Sequence, residues 1–76
     1  MITHENLKEV LNSLTSNAKN RIRHTRKKYV VLEHHVSKTG SYATIKLTDD
    51  FIRYRNVSDK GNRILCVDTA KMLLED

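Results

Sequence analysis

The chain has 76 residues, of which 38% are hydrophobic and 30% charged, with two glycines and no proline. A chain this short holds one domain, residues 1–76, because it cannot bury two independent cores. The composition excludes collagen-like, low-complexity and disordered chains. No apolar run approaches the ~20 residues that span a bilayer, and the N-terminus lacks a signal-peptide h-region. We therefore expect a soluble, cytoplasmic protein that does not bind membranes.

The first predicted element is a helix with an N-cap at Thr3. Apolar residues recur at helical spacing and continue to Ile22, which allows the helix to reach roughly residue 24. Weak helix formers at residues 15–17 leave its end open. Residues 19–28 therefore form either the C-terminal end of this helix or a loop that enters the first strand.

From Tyr29 onward apolar and polar residues alternate with a period of two, which predicts the strands of a sheet. A last helix follows them. Gly40 and Gly61 mark hairpin loops, and Asp68 is expected to cap the last helix. The order α-β-β-β-β-α predicts an α+β fold: an N-terminal helix, an antiparallel three- or four-stranded meander and a short C-terminal helix. The four strands are expected at residues 29–36, 42–48, 51–57 and 63–67.

The predicted sheet has one apolar face, which the helices cover, and one face open to water. Lys46, Arg53 and Arg55 are expected on the open face. Arg53 and Arg55 would lie roughly 7 Å apart along a strand, close to the spacing of successive phosphates in a nucleic acid. The residues expected in the core are Leu7, Leu11, Leu14, Val30, Leu32, Ile45, Leu47, Ile52, Ile64 and Leu73.

Residues 19–28 carry all of the excess positive charge in the chain. The other residues hold eight of the 14 basic side chains and all nine acidic ones, so they sum to −1, whereas the whole chain is +5. Such a basic segment attracts polyanions or an acidic protein surface, although it could also be a solvated connector. Its basic residues are Lys19, Arg21, Arg23, Arg26, Lys27 and Lys28.

The sequence contains no motif for catalysis or for a cofactor. It lacks a glycine-rich phosphate loop, a nucleophile elbow and a metalloprotease helix. One cysteine, Cys66, excludes an intrachain disulfide and a cysteine-based zinc site, and we expect it to be a small buried hydrophobe. His34 and His35 are strand neighbours that point to opposite faces, so they do not predict a metal site. We therefore expect a non-enzymatic protein without cofactor or metal.

The element order resembles the double-stranded-RNA-binding domain in outline. The motifs of that family differ here, since the first hairpin loop is Ser-Lys-Thr-Gly and the last helix starts with Asp68 and a single lysine, Lys71. No binding residues are transferred from the family for this reason.

Two functions remain compatible with the charge pattern. The first is a small nucleic-acid-binding or nucleic-acid-associated regulator that contacts the phosphate backbone of DNA or RNA. The alternative is a small inhibitor or adaptor, of the type that phages and mobile elements encode, which binds an acidic surface of a larger protein. We expect self-association to be weak at most, through an exposed apolar patch rather than the sheet edge. The predicted binding residues are the six cations of residues 19–28 together with Lys46, Arg53 and Arg55.

Overall fold

A computed structural model describes residues 2–3, 5–55 and 62–75. The predicted α+β class is confirmed, with N-terminal helices, a three-stranded antiparallel sheet and a short C-terminal helix. None of the described helices is long and apolar enough to cross a membrane. The helices are α1 (Leu7–Asn12), α2 (Ser16–His24), α3 (Phe51–Tyr54) and α4 (Val67–Leu73). The strands are β1 (Tyr29–Ser37), β2 (Gly40–Thr48) and β3 (Arg63–Cys66).

The predicted N-terminal helix is divided into α1 and α2, because a new helix begins after Thr15. The Thr15 hydroxyl accepts a hydrogen bond from the Ala18 N–H at 3.1 Å, as an N-cap does. At the chain start, the Thr3 hydroxyl accepts from the Asn6 N–H at 3.2 Å, and the Asn6 Oδ1 accepts from the Thr3 N–H at 2.7 Å. This reciprocal pair has the form of a capping box and orders the turn that precedes α1.

The strand order β2-β1-β3 differs from the predicted meander, in which consecutive strands would be neighbours. β1 and β2 form the predicted hairpin, with Val30 opposite Leu47 and Leu32 opposite Ile45. β3 then pairs with the other edge of β1, where Val30 lies opposite Leu65. β1 is therefore the central strand, and the chain after β2 crosses to its far side.

The predicted third strand is wrong over residues 51–54, which form α3. The Asp50 carboxylate accepts a hydrogen bond from the Arg53 N–H at 3.1 Å and so caps the first turn of this helix. Residues 56–57 of the predicted strand and residues 58–61 of the predicted hairpin loop lie outside the described residues. Asn62 is described, and its Oδ1 accepts from the His34 N–H at 2.9 Å.

The core lies between the helices and one face of the sheet. Leu47, Ile64 and Leu73 were expected there and are half-buried. Ile52 was also expected there but is 67% exposed, because it lies on α3 rather than on an inward-facing strand position. The predicted core residues that are confirmed as buried are Leu7, Leu11, Leu14, Val30, Leu32 and Ile45. Four further residues are buried in this cluster although they were not predicted there: Ile2, Ile22, Val67 and Ala70.

Val31 shows that the second face of the sheet is not fully open to water. It alternates with Val30 and Leu32, so it points to the opposite face, and yet it is only 1% exposed. Tyr29 shares this face and packs against Phe51 of α3, with ring centroids 5.3 Å apart. α3 therefore lies against a face that the sequence pattern predicted to be wet.

Gly40 follows the two-residue turn of the β1–β2 hairpin and has the positive φ that its position predicts, +134°. Replacing Gly40 by alanine is expected to lower the free energy of unfolding by about 1–3 kcal/mol, because L-residues rarely adopt this backbone conformation. An added Cβ would meet no atom within 4 Å, so the cost would come from the backbone alone. Urea denaturation measures this loss of unfolding free energy. Ser41→Ala, at the exposed neighbouring residue, is the control, and its unfolding free energy is expected to stay within about 0.5 kcal/mol of wild type. Equal stability of Gly40→Ala and wild type would contradict this account.

Candidate basic binding cleft

A cleft of about 410 Å³ lies between the loop that joins α2 to β1 and the beginning of α4. Four cations and one carboxylate line it, so their formal charges sum to +3. Three of the cations come from consecutive loop residues and the fourth from α4. The charged lining residues are Arg26, Lys27, Lys28, Lys71 and Asp68.

The backbone of Lys28 connects the α2–β1 loop both to the start of α4 and to the residue that follows β2. Its N–H donates to the Asp49 Oδ1 at 2.8 Å, and its carbonyl accepts from the Val67 N–H at 2.9 Å. Within the loop, the Lys27 N–H donates to the Thr25 hydroxyl at 3.0 Å. These bonds hold the loop against the start of α4, so its cations project from a constrained backbone rather than from a free connector.

Asp49 also approaches a cleft side chain. Its Oδ2 lies 3.7 Å from the Lys27 Nζ, and both side chains are more than half exposed. An exposed pair at this distance is worth about 0–1 kcal/mol, so a bound phosphate could compete for the ammonium. The main structural contribution of Asp49 is its bond to the Lys28 backbone.

The structure divides the predicted basic segment into two parts. Arg26, Lys27 and Lys28 line the cleft, whereas Lys19, Arg21 and Arg23 belong to α2. Arg21 lines a separate, smaller cavity between α2 and β2. The Arg23 guanidinium donates to the Glu75 carbonyl at 3.3 Å and to the Asn20 Oδ1 at 3.4 Å. Lys19 is half-buried on α2.

The three cations predicted on one open face of the sheet lie on different elements. Lys46 is exposed on β2, with its Nζ 3.7 Å from the Glu33 Oε2. Arg53 lies in α3, with its guanidinium 5.6 Å from the ring centroid of Tyr54, and Arg55 follows that helix. The predicted strand spacing between Arg53 and Arg55 is therefore wrong, because the segment is helical.

An aromatic pair adjoins the cleft. Tyr29 forms part of the cleft wall, and its ring packs against Phe51, which is 43% exposed. Tyr42 lies far along the β1–β2 hairpin, where it stacks on His35 with centroids 4.9 Å apart. The two tyrosine rings thus lie in different places, and Phe51 packs on the one that lines the cleft.

Two predictions at the start of α4 are wrong. Cys66 was expected to be buried, but it is exposed and lines the cleft, because β3 ends there and α4 begins at the next residue. Asp68 lies in the first turn of α4 and is not its N-cap. Over residues 2–3, 5–55 and 62–75, no three or more His, Cys, Asp or Glu side chains are grouped so that they could hold a metal ion.

Lys71 is the cleft residue that sequence reasoning missed. The pairing of β1 with β3 brings the start of α4 beside the α2–β1 loop, although about forty residues separate the two segments along the chain. No local pattern around Lys71 signals this proximity.

Comparison with protein-family models, with curated proteins and with solved structures finds no match. The predicted element order, which resembled the double-stranded-RNA-binding domain, is not kept, because α3 lies between β2 and β3 and the strand order is β2-β1-β3.

Proposed function

We propose that this protein is a non-enzymatic regulator that binds the phosphate backbone of a nucleic acid through the basic cleft. The observation that carries the proposal is the convergence of four cations from two segments on one cleft, which leaves a formal charge of +3. A cleft lined by charges of one sign concentrates oppositely charged ligands and accelerates their association.

The chemistry of the cleft suits phosphate groups. Arg26 supplies a planar guanidinium that can donate two hydrogen bonds to one phosphate, whereas Lys27, Lys28 and Lys71 supply mobile point charges. A volume of about 410 Å³ falls within the range typical of small-molecule sites. Cations that contact phosphates position a protein on nucleic acid without selecting bases.

The experiment that tests the proposal is a salt titration of binding. Fluorescence anisotropy would follow labelled single-stranded DNA, duplex DNA and structured RNA from about 50 to 200 mM salt. We expect log K to fall linearly with log salt, by about 0.7 per phosphate contacted on a single strand and about 0.9 on a duplex. Binding weaker than about 100 μM to all three at physiological salt lies outside the usual non-specific range and would reject the proposal.

The alternative, an acidic protein partner, is a distinct outcome of the same test. It requires negligible nucleic-acid binding together with a tight stoichiometric complex whose association rate drops as salt is added. In that event the cleft would still be the contact surface, but its ligand would be carboxylates rather than phosphates.

A further inference from the structure

The rings of Tyr29 and Phe51 form the most informative feature beside the cleft. Tyr29 belongs both to the cleft wall and to this aromatic pair, so the pair is continuous with the basic surface. The rings are tilted by 47° with centroids 5.3 Å apart, a geometry that is favourable for an aromatic pair. This contact places Phe51 against a residue of the cleft wall.

Phe51 remains partly exposed in spite of this contact. Its side chain packs on Tyr29 and is still 43% exposed, so part of the ring remains available to a ligand. Asp49 also connects the loop cations to Phe51. It lies two residues before Phe51 in the chain, and its carboxylate accepts a hydrogen bond from the Lys28 N–H. An exposed aromatic ring and a row of cations are thus held on one surface.

We propose that the cleft takes single-stranded nucleic acid, with one unpaired base stacked on Phe51 while neighbouring phosphates contact the cations. This inference rests on the proposed function. Single-strand binders combine a positive groove with aromatic rings, because every base has a face that can stack. In a duplex the bases are already paired and stacked, and they cannot reach the ring without being extruded at a cost of a few kcal/mol. With one exposed ring beside the cleft in the described part of the chain, the stack involves one base rather than several.

The test compares two probes with the same number of phosphates. One is a ten-nucleotide oligo(dT), and the other is an oligomer of the same length made of abasic nucleotides. Stacking of one base is worth about 1–3 kcal/mol, so wild type is expected to bind oligo(dT) about 5- to 150-fold more tightly than the abasic oligomer. Phe51→Leu, which keeps an apolar side chain but removes the ring, is expected to abolish that preference and leave abasic binding unchanged. Phe51→Tyr should restore it.

Tyr42→Ala is the matched control, because it removes an exposed aromatic ring that lies away from the cleft. It is expected to keep the preference for oligo(dT). Thermal melting of each variant shows whether it folds. If Phe51→Leu does not, the wild-type probes still decide whether a base stacks, and Phe51→Met, which also lacks a ring, tests the assignment to Phe51.

The outcomes separate this inference from the proposed function. If wild type binds neither probe at low salt but binds duplex DNA or structured RNA, the proposed function stands and the single-strand inference is overturned. If it binds none of these, the proposed function itself fails. If wild type binds both probes equally, backbone binding stands and base stacking is overturned. If the preference survives in Phe51→Leu, the base stacks elsewhere and the assignment of Phe51 is overturned.

Discussion

Replacing Leu11 by alanine is expected to lower the free energy of unfolding by about 2–5 kcal/mol. Leu11 lies on α1, is fully buried and belongs to the cluster that packs the N-terminal helices against the sheet. Truncation removes apolar contacts and leaves a cavity that the surrounding side chains fill only in part. Domains have a total stability of about 5–15 kcal/mol, and small ones lie near the lower limit, so much of the stability would be lost. Chemical denaturation followed by circular dichroism measures the change.

Met72→Ala provides the matched control for this prediction. It also removes a large apolar side chain from a helix, but Met72 is 85% exposed. Its effect is expected to stay within about 0.5 kcal/mol of wild type. Ile45→Ala, on the sheet side of the same cluster, should again cost about 2–5 kcal/mol. If Leu11→Ala and Met72→Ala proved equally stable, the core would not lie where the structure has it.

The change of periodicity at Tyr29 was a reliable local signal. Branched apolar residues in alternation predicted the β1–β2 hairpin, and Gly40 supplied the positive φ that ends its turn. The apolar spacing allowed a helix to reach residue 24 but left a loop over residues 19–28 open, and the separation of α2 from α1 depends on the Thr15 cap. A threonine inside a helical pattern is compatible both with an interior position and with a cap, so the pattern alone could not decide.

α3 shows how a short alternating segment can mislead. Residues 51–54 alternate in polarity as a strand would, and four residues are too few to separate a period of 2 from a period of 3.6. The capping bond from the Arg53 N–H to Asp50 favours the helix. Aspartate is a strong N-cap residue, so this local signal was present in the sequence and was outweighed by the alternation.

The cleft could be predicted only in part, because its two sides come together through long-range pairing. The loop cations are consecutive in the chain, and their concentration was visible without a structure. Lys71 and Cys66 reach the same place only because β3 pairs with β1, and hairpin signals predict neighbours along the chain rather than such a crossing. Arg21 and Arg23, though close in sequence, lie outside the cleft because they belong to α2 and the cleft is lined by the loop that follows this helix.

Reversing the charge of either of two cleft lysines is expected to weaken binding to every nucleic acid that the cleft takes. Lys28 projects from the α2–β1 loop and Lys71 from α4, so Lys28→Glu and Lys71→Glu act on opposite sides of one cleft. Each is expected to weaken nucleic-acid binding about tenfold, the order of a hydrogen bond to a charged group, and to reduce the salt slope by about 1. Sequences of different composition should be weakened equally, because the contacts are to the backbone. Anisotropy titrations over a salt series measure both quantities.

Arg21→Glu is the control that separates the cleft from the basic segment as a whole. Arg21 is exposed and belongs to residues 19–28, but it lines the cavity between α2 and β2 instead of the cleft. If the cleft binds phosphate, Arg21→Glu changes the net charge as much as either lysine reversal but weakens binding much less. The double variant of Lys28 and Lys71 should then lose about the product of the two single effects, or more if one phosphate contacts both side chains. Equal losses from Arg21→Glu and the lysine variants would instead show that binding responds to net charge and does not use the cleft.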